Sequence, residues 1–514
     1  MIQTNFSDGQ VLWIFLAFLS GLAAIIFFLR KKHGISLVFL FSAGLILRLV
    51  AAGLDPFLNT WDEQFHALVA KNMLTNPFKP VLISQPVLDY NFKDWQSNHI
   101  WLHKQPWFLW QIVLFFKLFG VNEFVLRLPT AIMMALMTGV IYRIGKRVSN
   151  AEIAWYGAFL YTFSFYFVHF VSGAVHTDHN DAAFIFYVSL SIFSYFEYVH
   201  TKKRRWLIFL GIFSGIAILN KWLVGLLVYS GWMASVFMNS WGKEKNYEFR
   251  NMAFSLAITI AIALPWQLYI WFAFPLESRF EFLFNGQHFF ESLEGHRENF
   301  WYHFYLLGEQ YGGLIILFII LPGFFYLIKS IRNEKYKVSL LAYIMVTYLF
   351  FTLAETKMPM FCTIVSPFVF LALGAFLYKV VEWIREHLKI RPVSWIIAAL
   401  LLYIAYDNLQ INQIDNWHSE KQNYWRMKRN AAILNRYVTG EIPSSDQVIF
   451  NAGGSNAIML MFCYDHTAYG YYPDYQQYQT LKDRGIKMAV LADENVPDYL
   501  KNDRSVKKIY LKLH

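Results

Sequence analysis

The amino-acid sequence predicts an all-α polytopic membrane domain of about 12 transmembrane helices plus interfacial helices, followed by a small extracytoplasmic α/β domain. Three observations predict this. Of 514 residues, 56% are hydrophobic and 19% aromatic while only 16% are charged, an aromatic load above that of ordinary soluble domains. Apolar runs recur along most of the chain, each near the ~20 residues needed to cross a hydrocarbon core. After residue 410 that pattern stops, and short strand-like runs alternate with helical ones.

Spans are expected near 10–29, 35–53, 124–142, 152–171, 182–199, 206–219, 222–238, 252–272, 311–329, 338–353, 360–380 and 393–410. The sixth and seventh are short and share a break at Asn220-Lys221, as a tilted or broken pair would. The segment 105–119 is apolar on one face and is expected along the interface. The first run is followed by Arg30, Lys31 and Lys32 instead of small residues, which does not resemble a cleavable leader.

Charge sets the orientation. Clusters at Arg30–His33, 145–147, 202–205, Lys243/Lys245, 329–337 and 385–391 alternate with acidic or histidine-bearing loops at 61–63, 176–181, 290–300 and 355–359. The basic set is expected on the cytoplasmic side, which places the other loops and both termini outside. The net charge of +10 is thereby a topology signal, and no nucleic-acid partner is expected. Two cysteines, Cys362 and Cys463, make neither a disulfide framework nor a metal motif.

Two domains are therefore expected, 1–410 in the membrane and 411–514 outside it. In the second, 423–438 reads as an amphipathic helix, while QVIFNAGG, IKMAVLAD and KKIYLKL read as strands. The GGSN at 453–456 suits an ordinary strand-to-helix turn better than an anion cradle.

Chemistry-bearing residues gather in the loops placed outside. In WDEQFHALVAKNM, Asp62 and Glu63 follow Trp61 and precede a half-apolar helix. Aromatic flanks set the pair at the headgroup level, where partial desolvation tunes a carboxylate toward general-base work; a solvated loop start is the plainer reading. Lys104 precedes Pro106 and either snorkels to lipid headgroups or holds a phosphate. Arg127 and Arg48 lie near span ends, where anchoring is the plainer role.

These stretches resemble elements of the GT-C membrane glycosyltransferases, closest to the protein O-mannosyltransferases and the lipid A aminoarabinose transferase. DEQFHALVAKNM is similar to their DE-x-x-Y-A-x-x-A-x-x-M element, and HKQPWFLW…LFGVNEFVLRLPTA to K-P-P…W…FG…E…RLP. SGAVHTDHNDAAFIFYVSL resembles the second outer loop and points to Asp178. GIFSGIAILNKWLVGLL resembles G-x-x-x-G-x-x-x-L-T-K-G, giving Lys221. EGHRENFWYHFYLL is similar to the G-H…P-x-x-Y-Y loop, and ETKMPMFCTIVSPFVFLALG to K-L-P-x-Y…P, giving Lys357. Departures are His66 for Tyr, Asn220 for Thr, Gln105 for the first Pro, Phe361 for Tyr, and His103 before Lys104.

The resemblance implies transfer of a sugar from a polyprenyl-phosphate donor to a glycolipid, protein or glycan acceptor, with membrane lipids as surroundings. It implies Asp62 as base, with Glu63 beside it, and Asp178 as an alternative base or orienting group. Lys104, Arg297 and Lys357 are the implied phosphate partners, with Lys221, His296, Arg48, Arg127 and His66 as further substrate contacts. A divalent metal is a candidate cofactor, with His103 and His296 the pair to test. Histidines with a carboxylate suit zinc, and oxygen ligands suit magnesium or manganese; the simpler reading is that these imidazoles bond sugar hydroxyls. The competing class is a lipid or sugar transporter or flippase. It calls for ionisable residues at span midplanes and inverted repeats, which the sequence does not display.

Overall fold

The computed structural model describes residues 6–89, 91–94, 98–174, 179–293, 295–388, 393–420, 422–439 and 447–510. Two compact units interleave along the chain: one from Met1–Leu54, Arg127–Ala273 and Phe282–Asn416, the other from Asp55–Leu126, Phe274–Glu281 and Trp417–His514.

The first unit is helical. Among the described residues nine helices are long and apolar enough to cross a membrane, or ten if the bent pair Tyr302–Tyr311 and Ile316–Ser330 counts as one span. Two differences separate this from the twelve predicted spans. The run 152–171 divides at Ser164 into helices Ala151–Thr162 and Phe165–His169, each too short to qualify. The sixth and seventh runs join as one 36-residue stretch, broken where predicted. Helix Arg204–Lys221 ends as Trp222 adopts φ +57°, and the chain folds back on itself. The hydroxyl of Ser214 donates to the Gly225 carbonyl at 2.6 Å, which satisfies a backbone group that the break sets free.

Small residues allow the helices to approach closely, which stands in for the hydrophobic drive that lipid cannot supply. Gly211 and Gly215 form one stripe against helix Gly242–Ala273. A Cβ at Gly211 would stand 2.6 Å from the Ser255 carbonyl oxygen. Across the seam, Ser255 and Thr259 donate their hydroxyls to the carbonyls of Leu207 and Gly211 at 3.0 and 3.1 Å. Two carboxylates of this unit are held in ion pairs: Glu248, 3% exposed, accepts from Lys202, Tyr198 and Trp232. Arg147 donates twice to Glu197.

The second unit holds the first long loop and the C-terminal domain. Helix Trp107–Phe119, the predicted interfacial segment, starts behind Pro106 and stops at Gly120, whose φ of +87° a side chain would resist. The domain's sheet has four parallel strands, β1 (Gln447–Phe450), β2 (Thr467–Ala468), β3 (Lys487–Leu491) and β4 (Lys507–Ile509), in the order β2-β1-β3-β4. Three of these match the predicted strands, and β2 is additional. Helix Tyr475–Asp483 carries a full capping box from Asp474 and Gln477. The predicted GGSN turn is present, with helix Gly454–Tyr464 starting behind Gly453.

Candidate active site

The second unit carries the predicted base. Helix Asp62–Asn72 buries every residue from Glu63 to Ala70. Its first turn separates the two adjacent carboxylates. Glu63 is 1% exposed, and its Oε2 accepts from the Asn59 backbone N–H at 2.7 Å and from Asn59 Nδ2 at 3.2 Å. Asn59 Nδ2 also donates to Asp55 at 3.3 Å. Glu63 thus fixes the turn that starts the helix. Asp62 is half-buried, and its carboxylate has no hydrogen-bond or ionic partner among the described residues. Of the two, it is the one with an oxygen to offer a substrate.

His66 is fully buried, with its ring edge-on to Trp101 at 5.5 Å and Phe108 at 4.6 Å. That packing makes it part of the unit's core. Lys104 is half-buried at the entry to helix Trp107–Phe119. His103 beside it is buried, with Nδ1 3.4 Å from Oε2 of Glu281, itself 2% exposed. The composition of the 274–281 segment gave no reason to expect Glu281 there.

The first unit carries Arg297, Lys357 and Lys221. Two loops lie side by side: Arg297 bridges Thr356 in antiparallel fashion, the Lys357 N–H donates to the His296 carbonyl at 3.2 Å, and Thr356 bonds both Leu293 and Glu291. His296, Arg297 and Lys357, assigned from separate motifs, are thereby brought together. Arg297 is exposed and His296 half-buried, while Lys357 is 5% exposed and donates to the Ala354 carbonyl at 2.6 Å.

Lys221 forms an ion pair with Asp181 and sits over the ring of Phe361, 4.8 Å from its centre. Asp181 was missed by the sequence reading, which chose Asp178 from the same HTDHND stretch. Asp178 and His176 lie outside the described residues. The available signal was position: Asp181 falls in the first turn of helix His179–Thr201, where an acidic side chain is favoured. Arg48 and Arg127 are both fully buried and hold backbone carbonyls, Arg48 those of Gly44 and Thr162 and Arg127 that of Ala52. Arg48 also lies over Tyr161 at 4.7 Å. The geometry gives both guanidiniums a place in helix packing.

Among the described residues no three His, Cys, Asp or Glu side chains converge as a metal would require. His103 and Glu281 are two such groups.

These helices and the appended sheet form the GT-C fold of membrane glycosyltransferases. The crystal structure of ArnT from Cupriavidus metallidurans bound to undecaprenyl phosphate matches with a TM-score of 0.64 at 16% identity, covering 87% of each chain. The archaeal oligosaccharyltransferase AglB from Archaeoglobus fulgidus, in complex with an inhibitory peptide and a dolichol-phosphate, matches at 0.56 and 12% identity, over 86% of this chain and 65% of its own. Another structure of that oligosaccharyltransferase is a complex with Zn and sulfate. In sequence, residues 103–271 match the dolichyl-phosphate-mannose-protein mannosyltransferase family. An uncharacterized protein of Aquifex aeolicus is 32% identical over 172 residues, 33% of this chain, and the chain spans only 31% of that curated relative's length.

Proposed function

We propose that the protein transfers a sugar from a polyprenyl-phosphate donor to a hydroxyl-bearing acceptor, a lipid A-like glycolipid, a protein or a glycan. The reaction is assigned to the extracytoplasmic face of the cytoplasmic membrane, where such donors are available without nucleotides. The observation that carries this reading is Asp62, half-buried on the first turn of its helix and without a partner among the described residues, in a fold shared with a structure that binds undecaprenyl phosphate.

In this reading Asp62 takes the acceptor's proton as the acceptor oxygen attacks the anomeric carbon. The bond from that carbon to the phosphate oxygen breaks, and polyprenyl phosphate leaves with the electron pair. A single displacement inverts the anomeric centre. Negative charge grows on the leaving phosphate, and Arg297, Lys357, Lys104 and Lys221 are assigned to stabilise it. Loss of one such contact costs about 2–4 kcal/mol of transition-state stabilisation. Arg297 is the foremost of them because its side chain is exposed.

The test compares a deletion strain complemented with wild type or with Asp62→Asn. Mass spectrometry of membrane glycolipids and glycoproteins is expected to show one hexose-like or aminosugar-like increment lost in both the deletion and the variant. An unchanged glycan profile in the Asp62→Asn strain would overturn the assignment of the base.

A further inference from the structure

The predicted base lies on a helix whose far end is held by the C-terminal domain. Lys71, in the last turn of helix Asp62–Asn72, is 17% exposed. Its ammonium meets three acceptors: the Phe462 carbonyl at 2.5 Å, the Met461 carbonyl at 3.2 Å and Asp465 Oδ1 at 2.7 Å. An ammonium has three protons to give, so all of them are committed. The acceptors stand at the C-terminal end of helix Gly454–Tyr464, whose last carbonyls have no partner within the helix and whose dipole favours a cation.

The same domain grips the loop that follows. Asn72, the last residue of the Asp62–Asn72 helix, ties the loop to that helix, its Nδ2 donating to the carbonyls of Val81 and Leu82, both at 3.0 Å, and the domain adds contacts of its own. Tyr469, stacked on Phe450 of β1, accepts through its hydroxyl from the N–H groups of Val87 and Leu88. Arg484 donates to the Val87 carbonyl at 3.0 Å and Thr467 to that of Gln85 at 3.2 Å. At the other margin, Lys428 joins the Pro56 carbonyl at 2.6 Å to Glu123 at 2.5 Å. The loop is thus held at both margins and at the helix end by side chains from three parts of the domain.

We propose that the C-terminal domain positions the helix that presents Asp62, with Lys71 as the positioning residue. This rests on the assignment of Asp62 as base. Lys71 lies nine positions after Asp62, about 13.5 Å along a helix, so Lys71 acts through the helix and not on the substrate. Its hydrogen bonds fix the rotation and depth of that helix, to which a reacting oxygen is sensitive.

The experiment uses the full-length protein in lipid nanodiscs as wild type, Lys71→Met, Lys71→Arg and Tyr469→Phe. Hydrogen exchange is followed across 62–72, and transfer is measured with undecaprenyl-phosphate mannose as donor and host membrane extract as acceptor. Lys71→Met is expected to speed exchange across the helix and lower kcat ~10- to 100-fold, with the donor KM within ~2-fold. Lys71→Arg is expected to restore most of both. Wild-type kcat per folded molecule in Lys71→Met, or unchanged exchange, overturns the proposal. Should Lys71→Met fail to fold, Tyr469→Phe decides, with faster exchange at 85–88 and a smaller fall in kcat expected. Wild type without turnover sinks the transferase reading for this donor instead, and the exchange data then decide the positioning role by themselves.

Discussion

Asp62 and Glu63 are adjacent in sequence and opposite in circumstance: Glu63 is 1% exposed and bonded to Asn59, whereas Asp62 is half-buried with no partner among the described residues. Substitution is expected to separate them. Asp62→Asn should lower transfer ~100- to 10,000-fold with little change in melting temperature. Glu63→Ala should strand the Asn59 N–H and cost about 1–3 kcal/mol of stability. Activity per folded molecule alongside thermal unfolding checks both.

The pair of Lys221 and Asp181 offers a second test. The side chains are 23% and 8% exposed, so removing either leaves a largely buried charge alone. Lys221→Met is expected to destabilise by about 3–5 kcal/mol, and the double variant Lys221→Met/Asp181→Asn to recover much of it. If Lys221 also serves the phosphate, transfer stays low in the double variant after stability returns. A double-mutant cycle in unfolding, with kcat measured on each corner, tells these apart.

Acid should loosen the C-terminal domain through Asp503. Lys482, Tyr478 and Ser505 bond this carboxylate and hold its pKa well below the ordinary 3.8. A carboxylate with a lowered folded-state pKa contributes stability that is complete above the unfolded value and fades as pH falls toward the folded one. The contribution is therefore full at neutral pH and lost on acidification below about pH 5. Because its partner Lys482 is 48% exposed, solvent screens the pair and the effect is modest. Asp503→Asn is expected to flatten the acid limb of a melting-temperature profile and leave the neutral plateau slightly lower.

Close helix packing gives a fourth expectation. At Gly211 an added methyl group meets the Ser255 carbonyl oxygen at 2.6 Å and Ile258 Cβ at 2.8 Å, and neither can step aside without moving its helix. Gly211→Ala should cost about 1–3 kcal/mol. Gly139→Ala, where nothing lies within 4 Å of the new Cβ, is the control expected to melt like wild type.

The spans were legible because lipid demands long uninterrupted apolar runs, and the break at Asn220-Lys221 showed as two runs too short to stand apart. The splitting of 152–171 was hidden, since Ser164 is as compatible with a continuous helix as with a gap. The motif order led to Arg297 and Lys357, whose loops do pair. The contrast between Asp62 and Glu63 was not legible, because it depends on which side of one turn Asn59 occupies. Nor was the Lys221–Asp181 pair, whose members lie 40 residues apart. The strands β1, β3 and β4 announced themselves by apolar β-branched runs, whereas the two-residue β2 is too short to carry a pattern.

The interleaved second unit has a consequence for biosynthesis. Its early stretch ends at Leu126 and its late one begins at Trp417. At a ribosomal pace of ~5–20 residues per second, roughly 300 intervening residues take about 15–60 s to emerge. Throughout that interval the nascent loop bears Lys71, Val87 and Leu88 without the groups that will receive them. Maturation of this unit is thus bound to the synthesis of Trp417–His514, and a product terminated before that stretch would leave its early loop undocked.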